Sequence, residues 1–315
     1  PSSSKLENKG IKEAVDMYQE NLEGSLWWMQ DNEYIYRGYR SQLTVWEAIK
    51  SMGRSTNETL NVWTHVIGAA LFIYLLFLTY RLPTSPIALS QSSTHVYVPF
   101  GAVIHEEVDN YMNGSPHVPR WPITVFVLCA IRCLGGSAIF HNFLCVSKKV
   151  KDVLQTLDYT GICILICGSY VPVIYYSFFC YPTYLWIHMV IVITINVLTV
   201  CVLATPTFRQ PKYRSVRSIC FTCVACYAVV ALIHLFILDR FNNPIFTSMF
   251  GYVIGMGTTY IIGAYFYGSR VPEKYFPGYF DYVLASHQIF HVCIVIAALF
   301  HYVGSYQLFI ATTVH

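Results

Sequence analysis

Two histidines four residues apart, in the run Ser286-His287-Gln288-Ile289-Phe290-His291, put both imidazoles on one face of a helix, about 6 Å apart along its axis. Ser137 and His141 repeat the four-residue step earlier in the chain, and Asp158 follows them. Three neutral imidazoles with an open fourth position are the usual donor set of a catalytic zinc ion. Oxygen-seeking ions want more carboxylates and copper wants sulfur, so zinc suits His141, His287 and His291 best. A carboxylate such as Asp158 then serves to hold water at the metal or to accept its proton. Taken singly, each histidine reads equally well as a packing residue bonded to a neighbouring carbonyl, and only convergence of all four groups favours a metal.

The other candidates read more plainly. His188, His234 and His301 fall on apolar stretches without nameable partners and are expected to pack, while His95, His105 and His117 lack regular ligand spacing and are expected at the surface. Cys220, Cys223 and Cys226 step by three residues, which drifts about 60° per step around a helix and points the first and last well apart. The eleven cysteines form no even, loop-borne set of the kind that staples small secreted domains, and are read as small apolar fillers.

The elements that position these groups follow from composition. The chain is 55% hydrophobic and 12% charged, where soluble domains carry about 25% charge. A hydrocarbon core of roughly 30 Å takes about 20 helical residues to cross and tolerates no unsatisfied backbone. Seven runs qualify: Asn61 to Tyr80, Pro122 to Asn142, Tyr159 to Tyr176, Thr183 to Ala204, Ser218 to Leu238, Ile245 to Phe266 and Leu284 to Ser305. The expected fold is an all-α integral membrane bundle of seven transmembrane helices. The polar opening Pro1 to Gly10 does not read as a signal peptide, so insertion is expected to rely on the first span.

Charge placement predicts the orientation, because short cytoplasmic segments collect lysine and arginine. The segment before the first span and the second, fourth and sixth loops hold sixteen of the twenty basic residues; the opposite side holds Arg81, Arg120 and Arg240, and Arg132 sits inside a span. The N-terminus is therefore expected in the cytoplasm and the C-terminus outside. The net charge of +3 comes from this asymmetry and argues for no nucleic acid. With that topology His141, Asp158, His287 and His291 all fall at one depth, in the cytoplasmic leaflet. The expected division is a cytoplasmic segment over 1–60, a seven-helix domain over 61–305 and a short extracellular tail over 306–315. Within the first, Val45, Trp46, Ile49 and Met52 recur at helical spacing and suggest a helix in the membrane interface. The loop from Arg81 to Trp121 would lie outside with a glycosylation acceptor, Asn113-Gly114-Ser115, whereas Asn57-Glu58-Thr59 would lie on the wrong side for that use.

Five stretches together are highly specific: Glu58-Thr59-Leu60-Asn61-Val62-Trp63-Thr64-His65, Ser137-Ala138-Ile139-Phe140-His141, Leu157-Asp158-Tyr159-Thr160-Gly161, Gly168-Ser169-Tyr170-Val171-Pro172 and Ser286 to His291. In order and content the chain from about residue 45 to 305 resembles the progestin and adipoQ receptor family, and Phe276-Pro277-Gly278 to His291 looks most like the adiponectin receptors. The resemblance implies a plasma-membrane receptor with its N-terminus inside and zinc held by His141, His287 and His291, with Asp158 reaching the metal through water. It also implies hydrolysis of a lipid amide, ceramide giving fatty acid and sphingosine, with the acyl chain in an apolar cavity between helices. An extracellular protein ligand such as an adiponectin-like hormone is a further implied partner. Ser137 falls on a family position, where it would contact substrate, orient the site or simply allow close packing. Asn61, Thr64 and His65 are read mainly as interhelical hydrogen bonds.

Two features depart from the family pattern: the outer loop over 81–121 is long for an adiponectin receptor, and Arg132 belongs to no motif. Arg132 would neutralise a fatty-acid carboxylate, or snorkel or pair with a neighbour. Two functions remain open on sequence alone, a zinc-dependent lipid amidase and a receptor whose zinc is structural. A transporter would spread ionisable groups through the full depth of the bundle, and here they gather at one end.

Overall fold

The computed structural model describes residues 26–81, 118–239 and 244–314. The opening 1–25, the acceptor at Asn113, the loop histidines His95, His105 and His117, and Arg240 lie outside the described residues. Among the described residues the fold is all helical. A short α1 (Val45–Lys50) precedes α2 (Thr59–Arg81), α3 (Trp121–Phe143), α4 (Lys148–Ser177), α5 (Pro182–Leu203), α6 (Arg214–Asp239), α7 (Pro244–Ser269) and α8 (Ser286–Val314). The last seven helices are long and apolar enough to cross a membrane.

Local sequence explains where these helices begin. Ser147 caps α4 by accepting the amide of Val150, and Pro122 and Pro182 stand in the first turns of α3 and α5, where a missing N–H costs nothing. A capping box of Thr44 and Glu47 starts α1. That helix leaves Val45, Trp46 and Ile49 exposed. Two helix ends differ from the hydropathy reading. The third span's helix starts at Lys148 rather than Tyr159, because a capped polar sequence continues a helix beyond the stretch that hydrocarbon demands. The last helix runs past Ser305 to Val314, and Tyr306, Leu308 and Phe309 on that extension are buried.

The spans are not equivalent. In α8, 61% of the apolar window is buried against 11% for α6 and for α7, so α8 is the axis of the bundle and the last two before it form its rim. Close approach to the axis uses small residues. A Cβ on Gly68 of α2 would stand 2.9 Å from Val295 of α8, and one on Gly168 of α4 would stand 2.6 Å from the side chain of Cys129 in α3. These contacts bring the ends of α2, α3, α4 and α8 together on the face where residues 26–43 pack. There Trp28, Met29, Ile35, Tyr39 and Leu43 are buried with Phe140, Leu144 and Ala285.

Candidate metal centre

His287 and His291 lie in the first two turns of α8, and His141 in the last turn of α3. Their Nε2 atoms converge: His287 to His141 is 3.2 Å, and His291 to His287 is 3.1 Å. All three donor atoms fall within 4.8 Å of one another. Zinc–nitrogen bonds of about 2.0–2.1 Å set two imidazole nitrogens of a tetrahedral site roughly 3.3 Å apart, so two of the three pairs stand at the spacing of a shared ion and the third lies within 4.8 Å.

The outer nitrogens sharpen the point. His141 Nδ1 stands 2.7 Å from Oε2 of Glu58, and His291 Nδ1 stands 3.1 Å from the carbonyl oxygen of Asn61. Both partners accept, so each Nδ1 carries its proton and each Nε2 presents a lone pair inward. One N–H on His287 cannot satisfy two lone pairs at once in this geometry, whereas a cation satisfies all three. Carboxylate and carbonyl partners behind ligand histidines are what fixes tautomer and ring orientation at metal sites. The residues present therefore fit a metal ion.

Glu58, His141, Asp158 and His287 line one cavity of about 70 Å³, together with Lys151, Gln155, Tyr159, Arg214 and Tyr267. Asp158 is buried in α4, and the Ser137 hydroxyl hydrogen-bonds it. That volume has room for a few waters, and apolar side chains, Met29, Ile35, Phe140 and Leu144 among them, share its walls with the polar ones; a space of this size holds no acyl chain.

A family model described as Haemolysin-III related matches residues 54–302. Heptahelical transmembrane protein 1 of Arabidopsis thaliana is 35% identical over 88% of this chain and 77% of its own length. The chain belongs to the progestin and adipoQ receptor family. Two animal members are as similar: an adiponectin receptor protein of Drosophila melanogaster at 34% identity and progestin and adipoQ receptor-like protein 1 of Caenorhabditis elegans at 34%, each over 88% of this chain. The chain spans only 56% and 58% of those two relatives.

In this member of the family, three neighbours of the centre were not legible as such from the sequence. Glu58 stands one residue before α2 and was legible only as part of a motif. His65 stacks on His291 with ring centroids 3.7 Å apart and planes 8° from parallel, rather than making the interhelical hydrogen bond expected of it. Arg40 reaches the end of α3 and donates to the carbonyls of His141 (2.5 Å) and Asn142 (2.8 Å). Of the other expected interhelical bonds, Thr64 bonds Leu60 within its own helix, and Asn61 bridges through its carbonyl. Arg132 pairs with a neighbour, donating to the carbonyl of Leu157. His188 does have partners, His234 at 2.9 Å and the Tyr227 hydroxyl at 2.7 Å, while His301 meets Met256.

Proposed function

We propose that this family member holds zinc at His141, His287 and His291 and hydrolyses the amide bond of a ceramide-class lipid, releasing fatty acid and sphingosine. The observation that carries the reading is the meeting of three inward-facing imidazole lone pairs beside a water-sized cavity walled by a carboxylate. Zinc bound there supplies Lewis-acid polarisation of a carbonyl and acidification of water. Glu58 and the Asn61 carbonyl keep His141 and His291 in the tautomer that presents Nε2. Asp158 takes the proton from the attacking water and returns it to the leaving amine as the C–N bond breaks. Ser137, bonded to Asp158, aims that carboxylate.

The same reading places the centre in the cytoplasmic leaflet of the plasma membrane, with the N-terminal segment inside, α1 lying in the interface and the C-terminus outside. It leaves the outer face for a protein ligand of the adiponectin class, the ligand named for the Drosophila melanogaster relative. One observation favours a second reading, a receptor with a structural zinc: a cavity of about 70 Å³ admits water but no acyl chain.

One sample decides between them. Purified protein is analysed for zinc and incubated with ceramide while released fatty acid is measured. Wild type is expected to carry zinc and release fatty acid; Asp158→Ala is expected to keep most zinc and lose release; His287→Ala is expected to lose both. Full zinc occupancy without turnover of any ceramide sinks the amidase and leaves the structural-zinc receptor.

A further inference from the structure

Away from the metal centre, an open groove of about 720 Å³ runs along the start of α4, lined by Lys148, Lys149, Asp152, Val153, Thr156, Leu157 and Arg209. We propose that it binds the headgroup of an anionic phospholipid of the inner leaflet. The inference rests on the charge-derived orientation and is independent of zinc or catalysis.

Three cations meet one carboxylate in this groove. Lys148 is paired with Asp152 at 2.8 Å, which leaves Lys149, exposed and without an ion pair among the described residues, and Arg209. Arg209 comes from the turn between α5 and α6, and its Nη1 is pinned to α4 by the Asp152 carbonyl at 2.8 Å and the Thr156 hydroxyl at 3.0 Å. Pinning through Nη1 leaves Nε and Nη2 without a hydrogen bond among the described residues. Those two form the edge of a guanidinium that takes a phosphate side-on with two parallel bonds. Because the arginine is already anchored to the helix, little rotamer freedom is lost when an anion docks.

The apolar half of the groove chooses the source of that phosphate. Val153 is 54% exposed and Leu157 43% exposed, one turn apart on α4 and directed away from the bundle. From the cations at the helix start, this flank continues into the depth that hydrocarbon occupies. A free phosphate would leave these side chains uncovered, whereas a phospholipid sets its headgroup on Lys149 and Arg209 and its acyl chain along Val153 and Leu157. Basic pockets between spans on the cytoplasmic side are where anionic headgroups bind.

The test is native mass spectrometry of the full chain released from nanodiscs of equal phosphatidylserine and phosphatidylcholine. Wild type is expected to retain phosphatidylserine in preference. Retention should fall roughly five-fold for each cation removed, and about 25-fold in the Lys149→Gln, Arg209→Gln double variant. Lys212→Gln, on an exposed lysine engaged over the Tyr213 ring instead of the groove, should retain lipid like wild type. Zinc content, read on the same samples, should be equal throughout. If the double variant loses zinc through misfolding, Lys149→Gln alone carries the test with its five-fold loss. Equal retention of both lipids, an unchanged double variant, or displacement of the lipid by millimolar inorganic phosphate would each overturn the proposal.

Discussion

Glu58 shows how much of the centre depends on residues other than the three imidazoles. Its Oε2 accepts from His141 Nδ1 at 2.7 Å and from Asn61 Nδ2 at 2.7 Å, so one carboxylate orients a ligand of α3 and the backbone stretch that holds His291. Removing such an outer partner typically lowers metal affinity 10–100-fold. Glu58→Gln is expected to fall in that range, measured by competition with a chromophoric chelator; unchanged affinity would mean the carboxylate is only a helix-start residue. At this scale the three imidazoles that could hold a metal were legible and their supports were not. His141, His287 and His291 stand out because ionisable groups are rare at those depths and two share a helix face. Glu58 stands at the border between polar and apolar sequence, where a carboxylate is unremarkable by type. The stacking of His65 has no sequence signal either, since parallel contact with His291 depends on how α2 and α8 face one another.

At the scale of the element, α8 carries two of the three clustered imidazoles and its start is fixed from outside. Glu273, fully buried in the loop before it, accepts from the Ser286 amide at 2.8 Å and from the Ser286 hydroxyl, and from Asn32 Nδ2 at 2.9 Å. Glu273→Ala strands three buried donors, and at about 1–3 kcal/mol for each unsatisfied group the expected loss is on the order of 3 kcal/mol in a chemical denaturation series. A fall in bound zinc should accompany it, since His287 follows Ser286 directly. The helices themselves were readable from sequence because lipid forces every span to satisfy its own backbone. Their full lengths were not, since the polar turns of α4 before Tyr159 rest on the Ser147 cap instead of on hydropathy. Packing between α3 and α4 offers a paired check. Gly168→Ala sets a Cβ against Cys129 and should lower the melting temperature. Gly135→Ala meets nothing within 4 Å and should raise it slightly, through a helix propensity gain of up to ~1 kcal/mol. Equal effects would show that the two helices do not touch through Gly168.

For the whole molecule, the question is what separates a hydrophilic centre from the aqueous side. Residues 26–43 cross the end of the bundle as a strap whose one helical piece is the single 3-10 turn Trp27–Met29, too short for hydropathy and periodicity to place. Their anchors are spread over the fold: Asp31 pairs with Arg214 of α6, Glu33 with Arg270, the Tyr36 amide donates to Asp281, and Arg40 holds the end of α3. The strap's Met29, Asp31, Asn32, Ile35 and Tyr39 form one wall of the cavity that His141 and His287 line from the other side. Water and chelators that reach the centre from this end must therefore move the strap or pass beside it. Truncation before residue 26 leaves every one of these anchors, whereas truncation before residue 44 removes them all. Zinc extraction by a chelator, followed on protein held in nanodiscs, should run at the wild-type rate in the first truncation. In the second it should be faster by at least about ten-fold, the factor that ~1.4 kcal/mol of local closure corresponds to. Equal rates in the two truncations would mean that the route to the metal lies between the spans and that the strap is a stabiliser of the bundle end alone.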